Sequence, residues 1–313
     1  MNTTAALVIL GTLATPTVIW SLTYFVRVIL VALSRPVNLK KKYGAEWALV
    51  TGGSSGIGKS LCRRLAEQGL NVVVVALEDQ LLKDTVAELK AAFPERQFIM
   101  VGANLSPGQK YMEKIAKATK DISVQCVFNN AGYIVTGFFE QVPVERQLAN
   151  VECNATAAVA ITHHFLARLV SEGKRGCIVF TSSVVAYMPA PFSVTYGATK
   201  AFLSSFASSL AIENREKGID VCSVHPSPVA SRFYDNTHKM EMMDFAKKGA
   251  ASPDAYPDQI LKSVGRCVLR DVGGFAVGMR VVTCLMSENF LASAFAAAAR
   301  FLPDFKKYSV DRK

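Results

Sequence analysis

The 313-residue sequence has no C-x-x-C pair and no histidines at the spacing of a metal site. Its seven cysteines are odd in number and dispersed, which is typical of reduced thiols in a cytosolic domain rather than of a disulfide framework. His163 and His164 are adjacent and would point to different faces of a helix, while His225 and His238 have no nearby partner ligand in the sequence. We therefore predict neither a disulfide framework nor a metal ion.

Charge is absent from a long segment near the N-terminus. Residues Ala5 to Val26 contain no Asp, Glu, Lys or Arg, and about 20 apolar residues suffice to cross a bilayer as a helix. No basic residue precedes Arg27, whereas a cleaved signal peptide would begin with a basic region. We therefore predict a retained transmembrane helix. Arg27, Arg35 and Lys40 to Lys42 all follow it, which predicts that the rest of the chain is cytosolic.

Charge is also sparse from Phe275 to Leu302, but Arg280, Glu288 and Arg300 would be costly in a second full span. Two interpretations stay open: a helix lying at the membrane interface, or an apolar helix packed on the domain or on a dimer partner.

The sequence also lacks a nucleic-acid recognition motif. Its net charge of +10 instead suits an anionic membrane surface or an acidic thioester.

Apolar strands alternate with helices from about Trp47 to Val224, without an internal repeat. This alternation predicts an α/β fold with a Rossmann-type, doubly wound parallel sheet covered on both faces. We divide the chain into a transmembrane anchor with its juxtamembrane segment (1–36), a catalytic domain (37–271) and an apolar C-terminal segment (272–313). The predicted strands are Trp47 to Val50, Val72 to Ala76, Phe98 to Gly102, Val124 to Phe128, Cys177 to Thr181 and Val221 to Val224.

A glycine-rich turn, Thr-Gly-Gly-Ser-Ser-Gly-Ile-Gly, occupies residues 51–58 between the first strand and a helix. Gly52 can form the tight turn, Gly56 allows the backbone to approach a pyrophosphate, and Gly58 allows close packing of helix and strand. The helix N-terminus would present amide groups to the anion. The pattern favours a dinucleotide-phosphate loop, although such turns also serve as ordinary connections.

Further polar motifs follow later strands. Asn129-Asn130-Ala131-Gly132 comes directly after a strand, where side chains face the crevice of an open sheet. Tyr196 and Lys200 are four residues apart and therefore share one face of a helix. Ser183 lies thirteen residues before Tyr196 at a strand end, and Asn154 lies in a helix predicted from about Val151 to Val170.

In this order and spacing the motifs resemble the short-chain dehydrogenase/reductase family over about residues 42–271. The resemblance implies a catalytic tetrad of Asn154, Ser183, Tyr196 and Lys200. It also implies cofactor contacts by Gly52, Ser54, Ser55, Gly56, Ile57, Gly58, Asn104, Asn130, Ala131, Gly132, Tyr196, Lys200 and Val229.

Reduction of a ketone needs a proton donor and a second group that polarises the carbonyl. We assign these roles to Tyr196 and Ser183, and we expect the cation of Lys200 to lower the pKa of the phenol. The resemblance implies in addition that Lys200 binds the nicotinamide ribose and that Asn154 holds a water of a proton relay. Asn130 would support the central strand.

Trp47, the preceding Lys41 to Gly44 and the apolar N-terminus resemble the membrane-bound branch that contains β-ketoacyl-CoA reductases and hydroxysteroid dehydrogenases. This implies an enzyme that interconverts a carbonyl and a secondary alcohol on a lipophilic substrate, first of all a long-chain 3-ketoacyl-CoA. A steroid, a retinoid and 3-ketosphinganine remain alternative substrates. A cofactor-binding membrane scaffold without turnover remains an alternative function. In a eukaryote we expect the endoplasmic reticulum membrane, and a homodimer stays open.

The chain departs from the family pattern at several positions. Leu77 stands where an Arg commonly recognises the 2′-phosphate of NADP, and Ala76 where an Asp is usual in NAD enzymes. We favour NADP(H) and leave NAD(H) open. Asn104-Leu105 stands near the expected adenine, where the family often has an acid, and His225-Pro-Ser-Pro-Val replaces a Pro-Gly turn. A substrate lid is predicted over Ser227 to Pro257. Two interpretations of its apolar residues stay open: they line an adaptable apolar pocket, which we favour, or they form the face of an amphipathic helix packed on the core. These residues are Phe233, Tyr234, Met240, Met242, Met243 and Phe245.

Overall fold

The computed structural model describes residues 3–235, 237, 240–241, 244 and 249–309. The chain forms two compact units, divided between Arg35 and Pro36. Of the predicted lid residues, Met242, Met243 and Phe245 lie outside the described residues. The boundary predicted after residue 271 stays a prediction.

The first unit consists of helix α1, Thr3–Leu33. Its stretch Ala14–Leu33 has a mean hydropathy of 1.7 and is long and apolar enough to cross a bilayer. The predicted N-terminal apolar helix is confirmed. That it spans a membrane stays a prediction.

The second unit is built on a seven-stranded, entirely parallel sheet in the order β3-β2-β1-β4-β5-β6-β7. The strand order reverses between β1 and β4, and in open α/β sheets ligands bind in the crevice at such a switch point. The predicted doubly wound α/β fold is confirmed. The strands are β1 Trp47–Thr51, β2 Asn71–Ala76, β3 Phe98–Gly102, β4 Val124–Asn129, β5 Gly176–Thr181, β6 Ile219–Pro226 and β7 Leu269–Val272.

Helices cover both faces of the sheet because its central strands are apolar on both sides. In β1, Ala48 and Val50 pack into one core layer while Trp47 and Leu49 pack into the other. Helices α3, α4 and α9 contribute to the first layer, and α5, α7 and α8 to the second. The helices of this unit are α2 Leu39–Tyr43, α3 Gly56–Glu67, α4 Gln80–Ala92, α5 Tyr111–Ala118, α6 Val144–Val151, α7 Ala157–Ser171, α8 Val194–Asn214, α9 Tyr256–Ser263, α10 Gly274–Leu285, α11 Glu288–Ala299 and α12 Pro303–Ser309.

Two elements differ from the sequence-based prediction. The helix predicted from about Val151 begins seven residues earlier, at Val144, and a π-helical segment, Glu152–Thr156, joins α6 to α7. Strand β7 was not predicted, because its buried Arg270 and Asp271 interrupt the apolar pattern that marks a strand.

The C-terminal segment forms a bent pair of helices rather than one straight span. Helices α10 and α11 meet at an angle of 109°, and Ser287 caps α11 by accepting a hydrogen bond from the amide of Phe290 (3.2 Å). Leu291 is buried, whereas Phe290 and Phe301 are exposed. One face of the pair therefore packs on the domain and another presents large apolar side chains outward.

Candidate functional site

The glycine-rich turn joins the carboxyl end of β1 to α3. Gly52 and Gly56 have φ angles of +64° and +52°, which L side chains rarely adopt. A Cβ added at Gly58 would collide with the carbonyl oxygen of Gly52. Ser55 precedes α3 and gives it no side-chain cap, so the helix N-terminus keeps amide groups available for an anion. The turn therefore fits a pyrophosphate.

Asn130 joins three strand ends at the switch point. Its amide Nδ2 donates to the carbonyl of Thr51 at the end of β1 (3.1 Å), and its Oδ1 accepts from the hydroxyl of Thr181 at the end of β5 (3.1 Å). The Thr51 hydroxyl in turn accepts from the backbone amides of Asn130 and Ala131 (2.9 Å each). These bonds hold β1, β4 and β5 together beside the glycine-rich turn.

Asn154 lies in the π-helical segment, a local irregularity that is frequent at functional sites. Its Oδ1 accepts from the amide of Tyr133 (3.0 Å) and its Nδ2 donates to the carbonyl of the same residue (2.9 Å). A Cβ added at Gly132 would lie 3.1 Å from Asn154 Oδ1 and 3.3 Å from Lys200 Nζ. Asn154 and Lys200 thus approach the same point, which Gly132 leaves open.

Ser183, Tyr196 and Lys200 form one group. Ser183 follows β5 and caps a 3-10 turn, Val184–Tyr187, and its side chain lies close enough to the Tyr196 hydroxyl to lower the pKa of that group. Tyr196 and Lys200 lie one turn apart on α8, with Lys200 Nζ 5.5 Å from the centre of the Tyr196 ring. Lys200 Nζ donates to the carbonyl of Thr181 (2.7 Å), which anchors the ammonium at the end of β5.

Burial governs the protonation of this group. It raises the pKa of Tyr196 above its usual value, and the Ser183 side chain lowers it by less. That Lys200 lowers the Tyr196 pKa stays a prediction, because burial dominates the shift in the protein alone. Burial also lowers the pKa of Lys200 to about 8. The nearby Cys153 raises this pKa, but by a smaller amount. At neutral pH the site holds a protonated phenol beside an ammonium group.

The remaining predicted cofactor residues lie around this crevice or at its edge. Asn104 is exposed and accepts from the Ser106 hydroxyl (2.7 Å), while half-buried Val229 pairs with Ala251 in an isolated bridge. Ser54, Ser55 and Ile57 are half-buried in the glycine-rich turn.

Leu77, at the end of β2, is 57% exposed, so its side chain is available to a ligand. The two acids that follow it have partners within the protein. Glu78 pairs with Lys114 (3.3 Å), and Asp79 caps α4 by accepting from the amide of Leu82 (2.9 Å).

Sequence reasoning missed the supporting roles of Thr51, Thr181 and His225. Thr51 and Thr181 end β1 and β5, and a polar residue at that position was the available signal. His225 was weighed as a metal ligand and as the first residue of a segment that replaces a Pro-Gly turn, and it is buried among hydroxyl groups. Among the described residues, no three His, Cys, Asp or Glu side chains cluster as a metal site would require.

Known proteins share both the sequence pattern and the fold. Residues 46–242 match the sequence profile of the short chain dehydrogenase family. The chain is 34% identical over 200 residues to a protein of Mus musculus named "Inactive hydroxysteroid dehydrogenase-like protein 1", covering 63% of this chain and 59% of that protein. It is 31% identical over 246 residues to the "Very-long-chain 3-oxoacyl-CoA reductase" of Meyerozyma guilliermondii, covering 74% and 69% of the two chains.

A solved structure of a 7β-hydroxysteroid dehydrogenase superposes with a TM-score of 0.73 at 22% identity, covering 83% of this chain and 100% of that one. At this identity the similarity shows the fold alone. The chain spans 59% of the length of the hydroxysteroid-dehydrogenase-like relatives from Gallus gallus, Mus musculus and Rattus norvegicus.

Proposed function

Because the chain belongs to the short-chain dehydrogenase family, we propose that it is an NAD(P)(H)-dependent oxidoreductase that reduces a lipophilic carbonyl to a secondary alcohol. The observation that carries this proposal is the grouping of Ser183, Tyr196 and Lys200 beside the phosphate-binding turn. A long-chain 3-ketoacyl-CoA is the substrate that we favour.

The nicotinamide, when bound, supplies the hydride that reduces the carbonyl carbon. The chain's own residues act on the carbonyl oxygen, where negative charge develops. The Ser183 hydroxyl donates a hydrogen bond to this oxygen, and the Tyr196 hydroxyl gives it a proton. The raised pKa of Tyr196 keeps that proton on the phenol until the oxygen becomes basic. Lys200 would hold the ribose hydroxyls of the cofactor, and its ammonium lies 5.5 Å from the centre of the Tyr196 ring.

The residues present fit a dinucleotide. The left-handed glycines at 52 and 56 bring the backbone close to a pyrophosphate, and the α3 N-terminus offers amides to it. Asn130, Ala131 and Gly132 would border the nicotinamide, and Gly132 leaves room beside Lys200. We favour NADP(H), because Asp79 is engaged as a helix cap and Glu78 pairs with Lys114, which leaves neither acid dedicated to a ribose.

Apolar surfaces on or near the elements that carry Ser183 and Tyr196 support a lipophilic substrate. The Phe233 ring lies 5.6 Å from the Tyr196 ring between centres, and Phe138, Phe192 and Phe305 form a second aromatic cluster. A cavity of about 700 Å³ lies among the turn after Ser183, the start of α8 and α11, and its lining is almost entirely Ala, Pro, Val, Met and Phe. One relative's name specifies a very-long-chain 3-oxoacyl-CoA.

The decisive test of this function is NAD(P)H oxidation by the purified full-length chain. We expect oxidation that depends on an added long-chain 3-ketoacyl-CoA, with the 3-hydroxy thioester as product. A panel of steroid, retinoid and 3-ketosphinganine substrates distinguishes the other lipophilic carbonyls. Cofactor binding without oxidation on any member would contradict the proposal.

A second candidate is a cofactor-binding membrane scaffold without turnover. It is favoured by one observation, that the 34% identical relative carries the word inactive in its name. The complete set of Asn154, Ser183, Tyr196 and Lys200 favours the enzyme. The same oxidation assay decides between the two.

We expect Leu77→Arg to shift cofactor preference toward NADPH by about 10- to 100-fold. The exposed side chain can be replaced without disturbing the core, and a guanidinium hydrogen-bonded to the 2′-phosphate contributes about 1.5–3 kcal/mol. The measurement is the ratio of kcat/KM for NADPH and NADH. Leu77→Met, which adds length but no charge, is the control. An unchanged ratio in the Arg variant would remove residue 77 from the adenosine site.

We expect deletion of residues 1–35 to release the protein from membranes in alkaline carbonate while it still binds them at neutral pH. The deletion removes α1, whereas the exposed apolar side chains of the C-terminal helix pair remain. Adding Phe290→Ser and Phe301→Ser to the deletion should abolish the remaining binding.

Full-length protein that carbonate extracts completely would refute the anchor. We propose that the second unit faces the cytosol, because basic residues follow α1. Protease added to sealed microsomes should therefore digest it, and full protection would contradict this orientation.

We expect kcat/KM for the reduced cofactor to fall as the pH rises through about 8. Burial lowers the Lys200 pKa to this value, so the ammonium that binds the ribose loses its proton there. Because kcat/KM reports the ionisations of the free enzyme, the transition should appear in that parameter. The Lys200→Arg variant keeps its positive charge over this pH range, so its kcat/KM should show no fall near pH 8, even if its activity is low. A flat wild-type profile up to pH 9.5 would show that this ionisation does not control binding.

A further inference from the structure

His225 is completely buried at the carboxyl end of β6, in register with Asp271 of β7. Its two ring nitrogens contact hydroxyl groups on two different elements. Nδ1 lies 2.6 Å from the hydroxyl of Tyr187, and Nε2 lies 2.8 Å from the hydroxyl of Ser204. The imidazole therefore bridges the 3-10 turn that follows Ser183 and the helix that carries Lys200.

On the helix side, the hydrogen bonds continue to the backbone of Lys200. The Ser204 hydroxyl donates to the Lys200 carbonyl (2.9 Å), and the Ser182 hydroxyl donates to the same carbonyl (2.7 Å). The Ser182 and Ser204 hydroxyls are also 3.1 Å apart. Ser182 immediately precedes Ser183, so the network reaches the proposed polarising residue from one side along the chain.

On the turn side, Tyr187 is the last residue of the 3-10 turn that Ser183 caps. Its ring packs against the imidazole, with 4.6 Å between ring centres. The guanidinium of Arg280, on α10, lies 4.1 Å from the centre of the same ring. The contacts of His225 thus also reach Ser183 through the residues that follow it in the chain.

The surroundings of His225 keep its imidazole neutral. Burial is the main cause that lowers the pKa of His225 to about 3. The charges of Arg280 and Lys200 also lower this pKa, whereas a hydrogen bond to the Arg270 carbonyl raises it. The carboxylate of Asp271 is 3.5 Å from Nδ1. A neutral imidazole has one donor and one acceptor nitrogen, so it can hydrogen-bond to both hydroxyl groups, which an apolar residue in this place could not do.

From these contacts we infer that His225 is a positioning residue for the carbonyl reduction: through Tyr187 and Ser204 it sets the separation of Ser183 from Tyr196 and Lys200. This inference rests on the proposed function. Ser183 and Tyr196 must both reach one carbonyl oxygen, and a displacement of about 1 Å in such a site can cost about 100-fold in rate.

Three variants test the inference. His225→Leu removes both contacts, His225→Gln keeps a donor and an acceptor in a different geometry, and Tyr187→Phe removes only the hydroxyl that faces Nδ1. We expect kcat to fall about 10- to 100-fold in His225→Leu and about 10-fold in Tyr187→Phe, with partial recovery in His225→Gln. The Kd for NAD(P)H should change less than kcat, because the glycine-rich turn proposed to hold the pyrophosphate is untouched. The double variant Tyr187→Phe/His225→Gln should lose less than the product of the single losses.

Hydrogen exchange gives a readout that does not require turnover. Amides of residues 183–190 and 197–205 should exchange faster in His225→Leu and Tyr187→Phe, while those of β2 and α4 should not. Leu89→Ala, a buried change on α4, is the matched control for lost stability and should leave kcat and the exchange of 183–190 unchanged.

The inference is overturned if Tyr187→Phe keeps wild-type kcat and wild-type exchange at 183–190, or if Leu89→Ala reproduces the loss of kcat at equal loss of stability. If His225→Leu does not fold, Tyr187→Phe decides. If the wild-type chain oxidises no cofactor with any carbonyl, the proposed function fails, and the exchange pattern alone decides whether His225 joins the turn to the helix.

Discussion

Replacing Tyr196 by Phe should lower turnover by about 10²- to 10⁴-fold while leaving the fold and cofactor binding nearly intact. This is the range that a positioned general acid contributes, and the variant removes only the hydroxyl. The lost group is the one that the Ser183 side chain contacts and that lies above the Lys200 ammonium. The measurement is kcat with saturating long-chain 3-ketoacyl-CoA, together with the Kd for NADPH.

Tyr43→Phe provides the matched control. Tyr43 is also buried, and its hydroxyl donates to the Asp220 carboxylate (2.5 Å) near the start of the sheet, away from the carboxyl ends of the strands. This control should lose stability but keep kcat per folded molecule. Near-normal turnover in Tyr196→Phe would show that Tyr196 is not the catalytic acid.

Catalytic efficiency should rise steeply with the length of the acyl chain until the apolar surface is filled. Each methylene removed from water contributes about 0.8 kcal/mol, which is roughly fourfold in kcat/KM. The half-buried Phe233 is an apolar side chain beside the proposed proton donor, with its ring 5.6 Å from the Tyr196 ring between centres. A series of 3-ketoacyl-CoA esters from four to eighteen carbons measures the effect, with detergent held below its micellar concentration.

Phe233→Ala should flatten this series by reducing the gain for long chains more than the rate for short ones. Phe202→Ala is its control, because Phe202 lies on the same helix as Tyr196 but is exposed and stacks on Phe206 instead. Equal or better activity on short, soluble ketones across the wild-type series would refute the long-chain assignment and indicate a generalist carbonyl reductase.

Much of the candidate site could be predicted from the sequence, because the glycine-rich turn and the Tyr196–Lys200 pair are marked by residues that lie close together in the chain. The glycines at 52, 56 and 58 report backbone conformations and close approaches, which depend on residues a few positions apart. Tyr196 and Lys200 share a helix face through helical spacing alone. Their neighbourhood with Ser183 could also be expected, since the carboxyl ends of parallel strands lie at one edge of a sheet, and the structure places them together.

The sequence by itself therefore determined the fold class, the turn that fits a pyrophosphate and the identity of the residues proposed for chemistry. Only the tertiary structure decided how those residues are charged and held. Burial, which depends on every element packed around α8, raises the Tyr196 pKa and lowers that of Lys200. The His225 network joins β6, α8 and the turn after Ser183, which lie up to 38 residues apart along the chain. Such contacts have no periodicity or spacing in the sequence, because they arise only when separate elements pack against one another.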